Sequence, residues 1–233
     1  MRKLNDILVK TGREAFYEIV PAVVHTLIGS AVLIPVLIFL PVAVSLILLP
    51  LIYMPLVYGA FYAYHMRTLG EASGVRAVFR GAVKGFVPAA VFGLFCSLLA
   101  LILVSTWWYY GGRSGVFYMA IAVFQTYFVL MALVSQFYTL QLVLQKEMGI
   151  FRAMGESVKL MLRYPAYTLG AFFQAFFLGL LLTVTVVGVL AIYSGVLAVY
   201  LHEAADNVLN PDQDKDEQAK RAQGLGTLPG NVG

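Results

Sequence analysis

Few side chains in this sequence could do chemistry inside its apolar stretches. His25 lies well within one, where an imidazole could relay a proton, hold a ligand or bond a backbone carbonyl. Gln125, Gln136 and Thr139 fall within about 60° of one another on a helix of period 3.6. Ala132 lies inside that arc and Phe128 at its edge, so the stripe is only partly polar. Gln174, on a later apolar run, and His25 could face it. Two readings stay open: the five residues line a polar cavity, or their side chains bond neighbouring helices at about 0.6 kcal/mol each.

Other chemistries lack their parts. No Asp, Glu, Lys or Arg falls inside an apolar span, and proton-coupled pumps use such groups, paired, at membrane depth. Ser30 and Ser194 each have a glycine neighbour, but no carboxylate stands ready to complete a triad. His65, Glu71, His202 and Glu203 flank the apolar runs and could meet at one membrane face. Their spacing matches no metal motif, and no phosphate-cradling glycine loop occurs. The expectation is a non-enzymatic protein without metal or cofactor.

Two basic segments frame the apolar runs that would position these residues. In 149–164, Arg152, Glu156, Lys159 and Arg163 recur on one helical face, while Phe151, Met154, Val158, Met161 and Leu162 cover the other. Pro165 follows, and no charge appears from Ala166 to Leu201. In 74–86, Arg76, Arg80 and Lys84 oppose Val75, Val78, Phe79, Val83 and Phe86, and Pro88 follows. Both read as helices lying at a polar–apolar boundary. Their six basic residues are the expected contacts to anionic lipid. The segments share an Arg-Ala, a Val-Lys and a Pro-Ala once small gaps are allowed. A true internal repeat and two connectors alike only in composition both fit.

Composition sets the class. The chain has 233 residues, 61% of them hydrophobic and 12% charged, about half the charge fraction of a soluble domain. The surplus apolar surface must meet lipid. The net charge of +4 comes from residues beside apolar spans, which points to cytoplasmic flanks and away from nucleic acid. The single cysteine, Cys96, allows neither an intrachain disulfide nor a thiol metal cluster. No apolar stretch stands directly behind Arg2 and Lys3, so the first span, and no cleaved leader, is expected to direct insertion.

The predicted architecture is all-α: a polytopic transmembrane bundle over 19–206, preceded by a surface helix in 1–18 and followed by a disordered acidic tail in 207–233. Spans are expected near 19–40, 42–64, 87–109 and 116–144. Pro50 and Pro55 should make the second irregular. The run 166–201 is too long for one ordinary span and just long enough for two short ones turning near Val187 and Gly188. Six spans result, or five if that run is one long bent helix. With six, fifteen of the sixteen basic residues share one side and Arg113 stands alone on the other. The positive-inside rule then places both termini in the cytoplasm, with a plasma-membrane location expected.

The order of parts resembles the YesL-like family of bacterial integral membrane proteins. The residues behind the resemblance are the run from Tyr58 to Tyr64, Arg67 with Leu69-Gly70-Glu71, the Phe79/Arg80 to Lys84/Phe86 connector, Gln136-Phe-Tyr-Thr-Leu, Ser157-Val-Lys with Pro165, and the last small-residue helix from Tyr193 to Leu209. The resemblance covers roughly residues 15–209 and implies an accessory to carbohydrate uptake, with no catalytic residue to carry over. The expected partners are membrane lipids with a transporter or further copies of the chain, and no nucleic acid. The second expectation is a small homo-oligomeric channel or transporter built on the Gln125–Gln136–Thr139 stripe.

Overall fold

A computed structural model describes residues 4–17, 31, 35, 38–70, 74–184 and 193–210. Among these residues every regular element is helical. Most of the first expected span, including His25, lies outside the described residues. So do Glu71, the expected turn near Val187 and Gly188, and the tail from 211 onward.

The helices run α1 (Leu4–Tyr17), α2 (Val42–Leu48), a π turn (Leu49–Tyr53), α3 (Met54–Thr68), α4 (Val75–Lys84), α5 (Phe86–Tyr110), α6 (Val116–Ser135), α7 (Thr139–Gln145), α8 (Ile150–Arg163), α9 (Pro165–Val184) and α10 (Tyr193–Leu209). Two paths are long and apolar enough to cross a membrane: α5, and Val116–Gln145 taken through the break between α6 and α7. A third is reached if α8 and the start of α9, bent by 109°, count as one span. The outward faces of α5 and α6 are apolar, with Leu98, Val104, Phe117 and Phe124 exposed, as lipid contact requires.

The breaks have local causes. Pro50 lacks an N–H and its ring displaces the carbonyl one turn earlier. The helix there widens into the π turn between α2 and α3. The break at Gln136–Tyr138 comes from outside the helix. Ser157 Oγ, on α8, donates to the Ser135 carbonyl at 2.7 Å and accepts from Tyr138 N–H at 3.2 Å. A side chain inserted into the backbone ladder splits the helix.

Each basic segment forms a helix with three faces, where the sequence suggests two. On α4, Ala77, Val78, Gly81 and Ala82 are buried and pack against α3. Val75, Phe79 and Val83 form an exposed apolar ridge, and Arg76, Arg80 and Lys84 an exposed basic stripe. On α8, Ile150, Ala153, Ser157 and Met161 are buried. Phe151 and Leu162 are exposed, and so are Arg152, Lys159 and Arg163. At 100° per residue the three faces follow one another in the same rotational order on both helices.

The two helices also dock alike. Gly81 meets Tyr62 so closely that a Cβ there would stand 2.5 Å from the Tyr62 Cβ. A Cβ on Gly59 would run into the Val78 carbonyl. In the second case Ser157 meets the backbone of Ser135 and Tyr138.

α9 and α10 run antiparallel. The Tyr200 hydroxyl reaches the Ala171 carbonyl at 3.1 Å and Gln174 Oε1 at 2.8 Å, and Asn207 Nδ2 donates to the Tyr167 hydroxyl at 2.9 Å. The described parts of the run 166–201 thus lie side by side. α10 continues to Leu209 with Asn207 and Val208 buried, past the boundary expected at 206. The Asn207 bond to Tyr167 gives those residues a packing partner that composition does not reveal. α1 lies across the same helix pair. Ile7 is fully buried among Ala171, Ala175, Tyr200 and Ala204, and Lys10 Nζ meets Glu203 Oε2 at 2.7 Å.

At the opposite end of α5 the aromatic cluster is tied down. Trp107 Nε1 donates to Thr126 Oγ1 at 3.0 Å. The Arg113 guanidinium lies over the Tyr109 ring at 4.3 Å and nearer than 6 Å to that of Tyr118. That packing closes the short α5–α6 turn.

Candidate functional site

The expected stripe divides at the break in the helix. Gln125 is half-buried on α6. Gln136 and Thr139 are buried at the turn, where the Thr139 hydroxyl donates to Gln136 Oε1 at 2.8 Å. Gln174 accepts its hydrogen bond from Tyr200 on α10. The polar groups are thus spent largely on one another.

Two cavities lie near them. The first, about 350 Å³, is apolar and sits among α3, α5, α7, α9 and α10. Phe61, Phe92, Phe137 and Leu201 form much of its wall, and Gln136 and Gln141 supply its amides. Gln141 is buried, and its Nε2 has no hydrogen-bond partner among the described residues. The second cavity, about 420 Å³, is more polar and is lined by Tyr58, Tyr62, His65, Lys84, Gln145 and Glu147 among others. Both volumes fall within the range of small-molecule sites. One amide pair joins them: Gln145 Nε2 donates to Gln141 Oε1 at 3.3 Å.

Beside that pair sits a histidine cluster. His65 and His202, from α3 and α10, bring their rings to 5.4 Å, and Tyr64 meets His202 edge-on at 5.2 Å. The Gln145 amide reaches His202 Nδ1 at 3.0 Å. An amide N–H can donate to Nδ1 when the ring is the neutral Nε2–H tautomer. The His65–His202 approach is one the flanking positions suggested. Glu203, instead of joining them, pairs with Lys10. No group of three metal-ligating side chains occurs among the described residues.

Both histidines lie just beyond the apolar runs, and burial is the main force on each. His202 is pushed down from 6.5 to about 4, first by burial and next by His65, with Asp206 opposing and Lys10 adding. His65 is lowered by burial and then by Lys84. Above pH 6.5 the ring of His202 is neutral whether folded or unfolded, so its contribution to stability is complete. As pH falls from 6.5 toward 4, the unfolded chain takes up a proton that the folded chain refuses. Stability should then drop by up to about 3 kcal/mol. Thermal melts of the purified protein across that window should show the fall, and His202→Phe should flatten most of it. An equally steep fall in His202→Phe would remove His202 from the account.

Sequence reasoning passed over Gln141, Gln145, Ser157 and Tyr200, which organise this region. Gln141 and Gln145 stand one turn apart beside Gln136 and Thr139, a signal of a polar face continuing past the break. Ser157 gives no such signal, because a serine on an amphipathic helix is unremarkable until its partner is known. No protein-family model, no curated protein and no solved structure matches this chain.

Proposed function

We propose that this is a non-enzymatic multi-pass protein of the cytoplasmic membrane, an accessory component of solute uptake whose helices α4 and α8 rest on the inner leaflet. The observation behind this reading is the exposed apolar ridge beside an exposed basic stripe on each of those helices. A helix in water gains nothing from exposing Phe79, Val83, Phe151 and Leu162. At a bilayer surface these side chains enter the acyl boundary while the basic stripe meets headgroups, each charge contributing about 1 kcal/mol on an anionic surface. The likeness in order of parts to the YesL-like family favours a role in carbohydrate uptake.

Six crossings with both termini inside fit the contacts best. α1 packs on the end of α10 through Ile7 and the Lys10–Glu203 pair, so the two ends of the chain belong on one side. An internal repeat fits as well. Phe61-Tyr62, Glu71 and Arg76-Ala77 are echoed at one constant offset by Phe137-Tyr138, Glu147 and Arg152-Ala153. The Tyr62–Gly81 and Tyr138–Ser157 contacts keep the same offset. Since both basic helices face the cytoplasm in this reading, the repeats are parallel.

A second reading is a small channel or transporter. It is favoured by the two cavities joined through Gln141 and Gln145. Proteoliposomes separate the readings. Replacing Arg76, Arg80, Lys84, Arg152, Lys159 and Arg163 by Gln should strip copurifying anionic lipid and leave helix content unchanged. Wild-type protein alone should pass neither sugars nor ions. Unchanged lipid retention would overturn the surface reading, and flux by the isolated protein would overturn the accessory reading in favour of the channel.

A further inference from the structure

The second cavity carries two opposite charges that do not pair with each other. Lys84, at the end of α4, and Glu147, in the turn between α7 and α8, both line it. No ion pair joins them among the described residues, although the surface pair Lys159–Glu156 closes to 2.8 Å. The Lys84 ammonium stands 5.5 Å from the centre of the Tyr62 ring. Arg76, Arg80 and Lys84 are all exposed, and Lys84 also lines the cavity. Tyr58 and Tyr62 wall the cavity with aromatic surface.

The backbone at Glu147 is unusual in the same place. Its φ is 50°, in the left-handed region. Glycine adopts this conformation freely and glutamate rarely does. Glu147 follows the C-cap of α7, where a left-handed residue ends a helix, and that turn brings its exposed side chain to the cavity. A cavity lined by a cation and an anion unpaired among the described residues, and by two tyrosine rings, matches one ligand chemistry: a zwitterion. Its anionic group would meet Lys84, and its ammonium would meet Glu147 and a tyrosine face.

We infer that this cavity binds the zwitterionic headgroup of phosphatidylethanolamine. A free amino acid offers the same charges. The lipid is favoured by what surrounds Lys84, because Val83, Phe86 and Val87 beside it are exposed and give acyl chains an apolar path out of the cavity. His65 lines the same cavity, its pKa lowered by burial and then by Lys84, and Arg80 stands one turn away on the exposed side of α4. The inference borrows from the proposed function only the membrane-surface placement of α4.

The probes are dioleoyl phosphatidylethanolamine, phosphatidylcholine and phosphatidylglycerol, chain-free glycerophosphoethanolamine, and glycine, added to the delipidated full-length protein. Bound lipid is counted by native mass spectrometry, and melting is followed in parallel. Phosphatidylethanolamine should bind best, because its ammonium keeps the N–H donors that methylation removes in the choline lipid. Glycerophosphoethanolamine should compete with it. Lys84→Gln and Glu147→Asn should each weaken binding about tenfold, the loss of one charge-assisted hydrogen bond. Asparagine tolerates the left-handed backbone, so Glu147→Asn removes the carboxylate without forcing the turn. Arg76→Gln should bind as wild type does.

Equal binding of phosphatidylglycerol, or unchanged binding in both variants, overturns the site. Binding of glycine without phosphatidylethanolamine overturns the lipid as its source. Loss of phosphatidylethanolamine binding with anionic-lipid retention intact would touch this cavity alone. The reverse result would touch only the surface reading of α4 and α8.

Discussion

Ser157→Ala is expected to destabilise the protein by about 2–4 kcal/mol, far more than removing one hydroxyl from a surface helix. The Ser157 side chain is fully buried and serves two backbone groups at once, the Ser135 carbonyl and the Tyr138 N–H. Alanine leaves both without that partner inside a packed site, at roughly 1–3 kcal/mol for each buried group. The helix could recover part of this by closing its own ladder across Gln136–Tyr138. That would straighten α6 into α7 and move Gln141 and Gln145 away from His202. Ser157→Ala should therefore lower the melting temperature and also shift the acid-sensitive window that depends on His202. Gly81→Val tests the corresponding joint in the first half. Its side chain would be driven into Tyr62, which is itself buried. Overpacking of this kind typically costs about 1–3 kcal/mol, and α4 can relieve it only by drawing back from α3 and giving up the close Gly59–Val78 contact. If both variants melt like wild type, α4 and α8 are not docked as described.

Much of the architecture could be read from the residue order. Uncharged runs bounded by Arg and Lys announce apolar helices with basic flanks. Arg76, Arg80 and Lys84 at helical spacing give α4, and Arg152, Lys159 and Arg163 give α8. The prolines at 50 and 55 announce an irregular helix, and the π turn is the form it takes. What could not be read is any feature that depends on a partner far along the chain. The break at Gln136 is caused by Ser157, and nothing within α6 or α7 predicts it. The burial of Val78 alongside Gly81, separate from Phe79, follows from the small residues of α3, so a helix taken alone reads as two-sided. The site was legible only in part for the same reason. Gln136 and Thr139 were visible as a polar face. The closing of Gln174 onto Tyr200, and of Gln145 onto His202, requires the antiparallel return of α10. The two basic segments match each other only with gaps. Without gaps, Phe61-Tyr62, Glu71 and Arg76-Ala77 stand at one constant offset from Phe137-Tyr138, Glu147 and Arg152-Ala153.

The second large effect expected is all-or-none, and it bears on the membrane placement from which the rest follows. In a Cys96→Ala background, Ser114→Cys, Gly149→Cys and Asn210→Cys place one thiol each in the α5–α6 turn, the loop before α8 and the end of the described chain. Ser114 is exposed, and a side chain at Gly149 meets nothing within 4 Å, so both sites tolerate cysteine. Arg113 is the one basic residue expected on the outer side, while Gly149 adjoins the basic stripe of α8. An impermeant maleimide added to intact cells should label Ser114→Cys and leave Gly149→Cys and Asn210→Cys untouched until the membrane is opened. Labelling of Asn210→Cys from outside would mean an odd number of crossings. Labelling of Gly149→Cys in intact cells, with Ser114→Cys protected, would contradict the inner-leaflet placement of α4 and α8.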